Sequence, residues 1–415
     1  MHQKRIKVLF QKVKNIFWHL PLAYFYNVYY GFPSKKLTLI GITGTDGKTT
    51  SVSLLHQALL DSGINAGLIS TLGAKIGQET ISVGLHTTSP SSSVTQKIFR
   101  QMVNQGITHV VIEVTAHAID QYRLFGCHFQ LTGITNTSHE HLDDFLDMEH
   151  YINTKAKLLE SSDTAILNKD DPSFSVISPH IDNPITYAID NTATYQATKI
   201  LLTNNNLSFS VNNIKFKTDS NYQYQIYNIL LVYAILQQLN IDSKILISII
   251  KNFPQMKGRR ETVNNNLHLN CIIDFAHTPA ALKTTLTSLK QSTSGKLIVI
   301  FGATGGRDQS KRPMMGKVVS EIADIAIVTA DDTRNELVEN INQQIITGMV
   351  ERKKFTYYDI PRRQDAFNLA VKLSSDGDTI IACGKGHETT ILHGKTEYPW
   401  SERDAFMTAF RQKEI

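Results

Sequence analysis

Ten residues constrain the architecture more than any others in the chain. Gly41-Ile42-Thr43-Gly44-Thr45-Asp46-Gly47-Lys48-Thr49-Thr50 closes the apolar run 37–42 and opens the helix-like stretch 51–62. A strand, a glycine-rich turn and a helix in that order make a phosphate cradle. The glycines let backbone N–H groups turn inward, and the helix N-terminus adds partial positive charge. Lys48 is placed to reach nucleotide phosphates, and the Thr49 hydroxyl to ligate Mg²⁺. The strict GxxxxGK[ST] spacing is not met, because Ile42 stands where the first glycine would be.

Short apolar runs at 109–114, 164–167, 297–301, 325–329 and 379–382 alternate with helical patterns. That alternation predicts an α/β fold with mostly parallel sheets. The asparagine-rich stretches 204–206, 212–213 and 264–266 read as loops or hairpin turns. A turn-rich segment at 253–260 predicts a boundary, with a second strand-rich unit starting near Cys271. A 415-residue chain, 41% hydrophobic and 19% charged, suits two or three globular domains and excludes a collagen-like, mucin-like or disordered polymer. Cys127, Cys271 and Cys383 are far apart with no CxxC pair, which excludes a disulfide framework and a zinc site. A reducing, cytoplasmic setting is the expectation.

The net charge of +5 is local: residues 1–45 hold seven Lys or Arg and no Asp or Glu. The remainder is slightly acidic, so nucleic acid is not an expected partner. Residues 4–20 read as a basic amphipathic helix. Ile6, Leu9, Phe10, Val13, Phe17 and Leu20 form its apolar stripe, with Lys4, Arg5, Lys7, Lys12 and Lys14 mostly off it. Pro21 is expected to interrupt that helix ahead of the aromatic run Tyr24, Phe25, Tyr26, Tyr29 and Tyr30. No uninterrupted apolar stretch of about 20 residues exists, and no small-residue cleavage site follows an apolar core, so neither a spanning helix nor a signal peptide is expected. Two readings of the stripe stay open: packing on the body of the protein, or peripheral attachment to an anionic membrane.

Further motifs follow the phosphate loop in order. Glu113-Val114-Thr115-Ala116-His117-Ala118-Ile119-Asp120-Gln121-Tyr122-Arg123 is similar to EVSSHAL-Q-R. Thr135-Asn136-Thr137-Ser138-His139-Glu140-His141-Leu142-Asp143 is similar to TNLSRDHLD, and Met148-Glu149-His150-Tyr151 leads to Lys155 as in a MENY…AK run. Gly258-Arg259-Arg260-Glu261 resembles GRME, Asp274-Phe275-Ala276-His277-Thr278-Pro279 resembles DYAHTP, residues 301–316 resemble FGCGGDRDxGKRPxMG, and 382–388 resemble AGKGHE. The chain from about 37 to 410 thus resembles the Mur ligase family, and within it the MurE-type branch of UDP-N-acetylmuramyl-tripeptide synthetases.

The resemblance implies a P-loop ATPase-like central domain (37–255), a smaller Rossmann-like C-terminal domain (256–415) and a short helical N-terminal extension (1–36). ATP is expected between the two domains, with closure completing the site. The implied activity is ATP-dependent amide-bond formation in peptidoglycan precursor synthesis, adding an amino acid to UDP-MurNAc-L-Ala-D-Glu through an acyl phosphate. ATP and Mg²⁺ are the implied cofactors. Gly44, Thr45, Asp46, Gly47, Lys48, Thr49 and Thr50 would hold phosphates; Asn228, Arg259, Asp274 and His277 would reach the rest of the nucleotide. Thr49, Glu113 and His141 would ligate magnesium, and Lys155 corresponds to the lysine that the family carbamylates, the motif register choosing it over Lys157.

The acceptor would meet Thr87, Thr88, Thr115, Gln121 and Arg123. The incoming amino acid would meet Arg307, Asp331, Asp332, Thr333, Arg334, Gly384 and Glu388. Where relatives using meso-diaminopimelate read DNPR, this chain reads Asp331-Asp332-Thr333-Arg334. Arg334 keeps a fork for a distal carboxylate, which favours meso-diaminopimelate, with L-lysine next; Arg334 could instead only pair with Asp332 or Glu336.

The family's N-terminal domain for the uridine nucleotide has no counterpart in the 36 residues ahead of Leu37, which are too few to form one. The expectations are weak acceptor binding by the central domain alone, a partner protein supplying the missing surface, or a lipid-linked acceptor. A relative acting on a folate or polyglutamate acceptor is disfavoured by the 301–316 and 384–388 motifs. A non-catalytic nucleotide-dependent binding subunit is disfavoured because Lys48, Glu113, His141 and Lys155 are all present.

Overall fold

The structure is a computed structural model that describes residues 2–84, 88–139, 144–203, 206–219, 222–251 and 256–413. The chain divides into two compact units, Met1–Ser138 with Asp144–Phe253, and His139–Asp143 with Pro254–Ile415. Among the described residues, no helix is long and apolar enough to cross a membrane.

The first unit is built on β1 (Thr38–Thr43), β2 (Ala66–Ser70), β3 (Gly73–Ile76), β4 (Glu79–Ile81), β5 (His109–Glu113), β6 (Phe129–Ile134), β7 (Ser162–Asn168), β8 (Ile185–Ala188) and β9 (Tyr195–Gln196). Among the described residues they form one sheet in the order β4-β3-β2-β5-β1-β6-β7-β8-β9. From β2 to β9 neighbours run parallel, and β3 and β4 add an antiparallel edge. Both faces of the sheet centre are covered, which is why its strands read as unbroken apolar runs. Helices Lys48–Asp61 and Tyr224–Gln238 bury Leu54, Leu55, Leu230 and Ile235 on one side. Helix Ser92–Asn104 buries Ile98, Phe99 and Met102 on the other.

Register positions the site. β1 lies between β5 and β6, pairing Ile42 with Glu113 and Thr43 with Ile134. The phosphate loop, Glu113 and Thr135 therefore come level at the carboxyl edge of the sheet, where α/β proteins place ligands. A small antiparallel sheet of β10 (Thr198–Leu202), β11 (Leu207–Val211) and β12 (Ile214–Thr218) follows. Asn212 and Asn213 turn its hairpin with φ of 48° and 67°, as a two-residue primed turn requires.

The second unit holds β13 (Glu261–Val263), β14 (Asn270–Asp274), β15 (Leu297–Phe301), β16 (Ile325–Val328), β17 (Thr356–Asp359) and β18 (Thr379–Cys383). Among the described residues their order is β13-β14-β18-β15-β16-β17, parallel except for β13. Helices cover both faces, with Leu282, Leu286 and Val319 in one core and Phe367, Ala370 and Phe406 in the other. The unit starts earlier than Cys271: β13 is a three-residue edge strand, too short to show a period. A final hairpin joins β19 (Thr390–His393) to β20 (Thr396–Pro399).

The N-terminal segment departs from expectation. Helix His2–Lys14 runs through a π turn at Asn15–His19 into helix Leu20–Tyr29. Pro21 follows directly on the π turn, whose altered bonding pattern lets the helix run on past a residue without an N–H, so it does not interrupt. The side that packs on the first unit is not the apolar stripe. It carries Val8, Asn15, Ala23 and Asn27, while Ile6, Leu9, Phe10, Val13 and Phe17 face outward.

Burial also sets an acid limit on the first unit. His56, on helix Lys48–Asp61, lies 3.2 Å from the Ala66 carbonyl oxygen, and burial pushes its imidazole down to about 4. The folded value lies below the ordinary 6.5, so the stability this histidine contributes is complete above pH 6.5 and is lost as pH falls towards 4. Urea melts at pH 7 and pH 4.5 should differ by about 2–3 kcal/mol more in the parent than in His56→Gln; equal differences would remove His56 from the acid response.

Candidate active site

The loop after β1 is shaped for close approach. Gly44 has φ 138° and Gly47 φ 83°, both in the left-handed half of the map. A Cβ on Gly44 would lie 1.9 Å from Thr135 Oγ1, and one on Gly47 would lie 2.4 Å from Asn228 Oδ1. Asn136 braces the loop from β6. Its side chain accepts from Asp46 N and donates to Asp46 O, both at 3.0 Å, and its carbonyl accepts from Thr45 N at 2.8 Å. Thr45 Oγ1 accepts from Ser138 N at 3.0 Å. Asn228 stands beside the loop, accepting from Ser51 Oγ at 3.4 Å and donating to Gln225 Oε1 at 3.4 Å.

Two lysines converge on this loop. Lys48 Nζ donates to the carbonyls of Gly44 at 3.0 Å and Thr45 at 2.7 Å. Lys155, from helix Met148–Glu160, donates to the same Gly44 carbonyl at 2.6 Å. It is 1% exposed, and its ammonium lies 4.4 Å from the centre of the Tyr151 ring. Lys155 thus touches the loop, and Lys157 is not part of that contact.

Glu113 ends β5 and is 2% exposed. Its carboxylate accepts from Thr49 Oγ1 at 3.1 and 3.3 Å, and from Thr71 N and Oγ1 at 3.1 and 3.0 Å. Thr49 and Glu113 therefore supply a hydroxyl and a carboxylate side by side at the loop's end, hard oxygen donors that fit Mg²⁺. Thr50 follows Thr49 on the same helix, half-buried. His141 and Thr87 lie outside the described residues.

The remaining acceptor candidates form one cluster. Thr88 Oγ1 lies 3.1 Å from Thr71 Oγ1. Thr115 caps the short helix Ala116–Asp120, accepting from Ala118 N at 3.2 Å. Gln121 Oε1 accepts from Arg123 Nε at 3.0 Å, and Arg123 also donates to the Ser89 carbonyl. Ser89 Oγ ties the cluster to β5 by donating to Glu113 O at 2.9 Å and accepting from Thr115 N at 3.0 Å.

In the second unit the nucleotide candidates form a small aromatic nest. Arg259 lies 4.3 Å over the Phe275 ring, whose edge meets His277 at 4.7 Å. His277 Nδ1 is 2.8 Å from the Phe275 carbonyl oxygen. Asp274 uses both carboxylate oxygens on backbone donors, Arg260 N at 2.8 Å and Ala276 N at 2.9 Å, and so braces the turn that carries Arg259. Burial first, and the Arg259 cation second, push His387 down to about 4, which leaves it neutral near pH 7.

The amino-acid candidates gather where the loops after β15, β16 and β18 meet. Gly384 has φ 108°, and a Cβ there would lie 2.6 Å from Asp331 Oδ2. Asp332 is drawn inward: it accepts from Lys385 Nζ at 2.7 Å and Leu392 N at 2.9 Å. Glu388 pairs with the same Lys385. Burial works against the Lys385 charge, but Asp331, Glu388 and Asp332 hold its ammonium above the ordinary lysine value. Glu336 is taken by Arg312 at 2.8 and 3.0 Å. Arg334 has φ 50° and pairs through its backbone with Leu392 and Gly394, and its Cδ lies over Gly306, next to the half-buried Arg307.

Sequence reasoning missed Thr71, Ser89, Asn136, Lys385, Arg363 and Glu402. Asn136 and Lys385 stood inside motifs already singled out, which was the available signal. Arg363 and Glu402 gave none: they meet 39 positions apart as a buried ion pair at Nε–Oε1 3.1 Å.

Comparison with known proteins follows the same division. The Mur ligase middle domain matches residues 42–236, and the Mur ligase, glutamate ligase domain matches residues 258–386. A Clostridium acetobutylicum protein named UDP-N-acetylmuramoyl-L-alanyl-D-glutamate–2,6-diaminopimelate ligase 2 is 33% identical over 95% of this chain and 82% of its own. A solved structure of a UDP-N-acetylmuramoyl-L-alanyl-D-glutamate–2,6-diaminopimelate ligase superposes with TM-score 0.62 at 25% identity, covering 91% of this chain and 79% of that one. Folylpolyglutamate synthase of Mycobacterium tuberculosis shares the fold at TM-score 0.70 and 16% identity, over 86% and 91% of the two chains.

Proposed function

The chain belongs to the Mur ligase family, and from that premise we propose that it is an ATP-dependent acid–amino-acid ligase of peptidoglycan precursor synthesis. Its acceptor is UDP-MurNAc-L-Ala-D-Glu and the amino acid it adds is meso-diaminopimelate, in a cytoplasmic setting. The observation that carries this reading is the gathering of Lys48, Thr49, Glu113 and Lys155 at one phosphate loop, in a chain aligned along nearly its whole length with a diaminopimelate ligase.

The reaction transfers the γ-phosphoryl group of ATP to the acceptor carboxylate, with ADP leaving. The amine of the incoming amino acid then adds to the acyl carbon, loses a proton and expels phosphate as the amide forms. Such chemistry is mostly positioning and charge neutralisation. Lys48 and the loop N–H groups other than those of Thr45 and Asp46, which Asn136 holds, receive the phosphates. Thr49 and Glu113, with His141, would hold Mg²⁺, which when bound supplies charge neutralisation at the transferring group. Lys155, carbamylated, would turn a buried cation into an anion beside the same loop.

Thr87, Thr88, Thr115, Gln121 and Arg123 receive the acceptor in this reading. Asn228, Arg259, Asp274 and His277 serve the nucleotide. Arg307, Asp331, Asp332, Arg334, Gly384 and Glu388 form the amino-acid pocket. Arg334 keeps the planar guanidinium fork that matches a distal carboxylate.

Phosphate release with ATP, Mg²⁺ and UDP-MurNAc-L-Ala-D-Glu across a panel of amino acids tests the proposal. Turnover with meso-diaminopimelate is expected, and Arg334→Ala should lower kcat/KM for it on the order of 10²-fold, the usual loss for a bidentate charged contact. Turnover with L-lysine alone would overturn the diaminopimelate assignment. Silence from a folded, ATP-binding protein would overturn the acceptor.

A further inference from the structure

Residues 2–29 form about 40 Å of helix held on the first unit through its polar side. Asn15 Nδ2 donates to Asp120 Oδ2 at 2.7 Å, Asn27 Nδ2 donates to the Phe125 carbonyl at 2.7 Å, and Lys7 Nζ meets Asp144 Oδ1 at 3.0 Å. Val8 and Ala23 complete the docked side. The π turn at Asn15–His19 takes up an extra residue, which returns Ala23 and Asn27 to the side of Val8 and Asn15.

The opposite side is large, apolar and outward. Phe10 is 72% and Phe17 76% exposed, and Ile6, Leu9, Val13, Ile16, Trp18, Tyr24, Phe25, Val28 and Tyr29 are exposed with them. Scattered exposed apolar residues need no explanation, but a contiguous row of this length marks an interaction surface.

Charge identifies the occupant. Arg5 and Lys7 flank Ile6, and Lys12 and Lys14 flank Val13, two turns further on. Neighbours along a helix sit about 100° apart around its axis. The row therefore has cations along both shoulders, Arg5 and Lys12 on one and Lys14 on the other, where Lys7 is engaged by Asp144. Residues 1–45 themselves contain no carboxylate. Long basic side chains at the shoulders of an apolar face let the face enter hydrocarbon while the charges stay at headgroup level. The aromatic rings Trp18, Tyr24 and Tyr29 suit the same depth.

We propose that helix 2–29 docks the enzyme edge-on to an anionic lipid surface, with Ile6, Phe10, Val13 and Phe17 inserted and Arg5, Lys12 and Lys14 on the headgroups. A protein partner or a second copy could use the apolar row, but neither calls for cations along both of its shoulders.

Flotation of the full chain with phosphatidylcholine vesicles, alone or with 30% phosphatidylglycerol, tests this. The partition coefficient should be at least tenfold higher on the anionic vesicles and fall at least tenfold between 50 and 500 mM NaCl. Trp18 emission should shift to the blue on binding. Phe10→Glu/Phe17→Glu should lose vesicle binding and keep the parent melting temperature, because both positions are exposed. Arg5→Glu/Lys12→Glu should lose only the preference for anionic lipid. Equal binding to both vesicles, or binding to neither, would overturn the proposal. So would a concentration-dependent dimer, seen by sedimentation, that Phe10→Glu/Phe17→Glu dissolves in the absence of any vesicle binding.

Discussion

Glu113→Gln should lower kcat for ATP-dependent ligation on the order of 10²–10³-fold, the range for removing one group that stabilises transition-state charge. The protein should stay folded, and the geometry says why. Glu113 Oε2 accepts from Thr49 Oγ1, Thr71 N and Thr71 Oγ1 at 3.0–3.1 Å, whereas among the described residues Oε1 accepts from Thr49 Oγ1 alone, at 3.3 Å. A glutamine with its carbonyl at Oε2 keeps every strong contact and sets its amide against a hydroxyl that can rotate to accept. The stability cost is then about 1 kcal/mol, a few degrees in melting temperature. What glutamine lacks is the charge. Parallel measurement of kcat and melting temperature separates the two effects. A melting temperature lowered by more than about 10 °C would make Glu113 a structural residue, and unchanged kcat would remove it from the reaction.

The fold was legible where burial on both sides writes continuous apolar runs. β1, β5, β15 and β18 fall within a residue of the runs read from the chain, because each lies inside a covered parallel sheet. Edge elements were not legible: β13 has three residues and no period to display. Pro21 was not legible as tolerated, since the π turn just ahead of it leaves no mark in composition. The N-terminal stripe was correctly seen as one face, but periodicity cannot say which side docks. The docked side is fixed by single polar pairings, Asn15 with Asp120 and Asn27 with the Phe125 carbonyl, that leave no pattern in sequence.

The site divides similarly. Residues in strand-end loops of the first unit were readable because phosphate binding demands glycines, a lysine and a hydroxyl in fixed order. Thr71 was not, as one threonine after a strand carries no pattern, yet it makes two of the contacts that orient Glu113. Nor could the sequence show that Asp332, beside Arg334, is held by Lys385, which is itself buried and needs carboxylates around it.

That dependence on buried charge yields the largest stability effect expected in the second unit. Arg363 and Glu402 are both buried, Nε to Oε1 at 3.1 Å. Arg363 also donates to the carbonyls of Ala330 and Cys383, each at 2.9 Å. Those carbonyls immediately precede Asp331 and Gly384, so one guanidinium ties together the two loops that carry the amino-acid candidates. Glu402→Ala strands a buried cation, and the expected loss is about 3–5 kcal/mol. For a unit of this size that is on the order of 10 °C in melting temperature. Replacing the pair by Arg363→Met/Glu402→Leu removes both charges, which alone is often neutral. Here it also leaves the Ala330 and Cys383 carbonyls without their donor, at about 1–3 kcal/mol each. The double variant should therefore recover stability only in part, and its KM for the amino acid should rise while its KM for ATP stays near the parent value. Full recovery of both melting temperature and KM would mean that Arg363 is a partner for Glu402 and nothing more. Partial recovery with a raised amino-acid KM would make it the brace that sets the distance between the loops at 331–334 and 384–388.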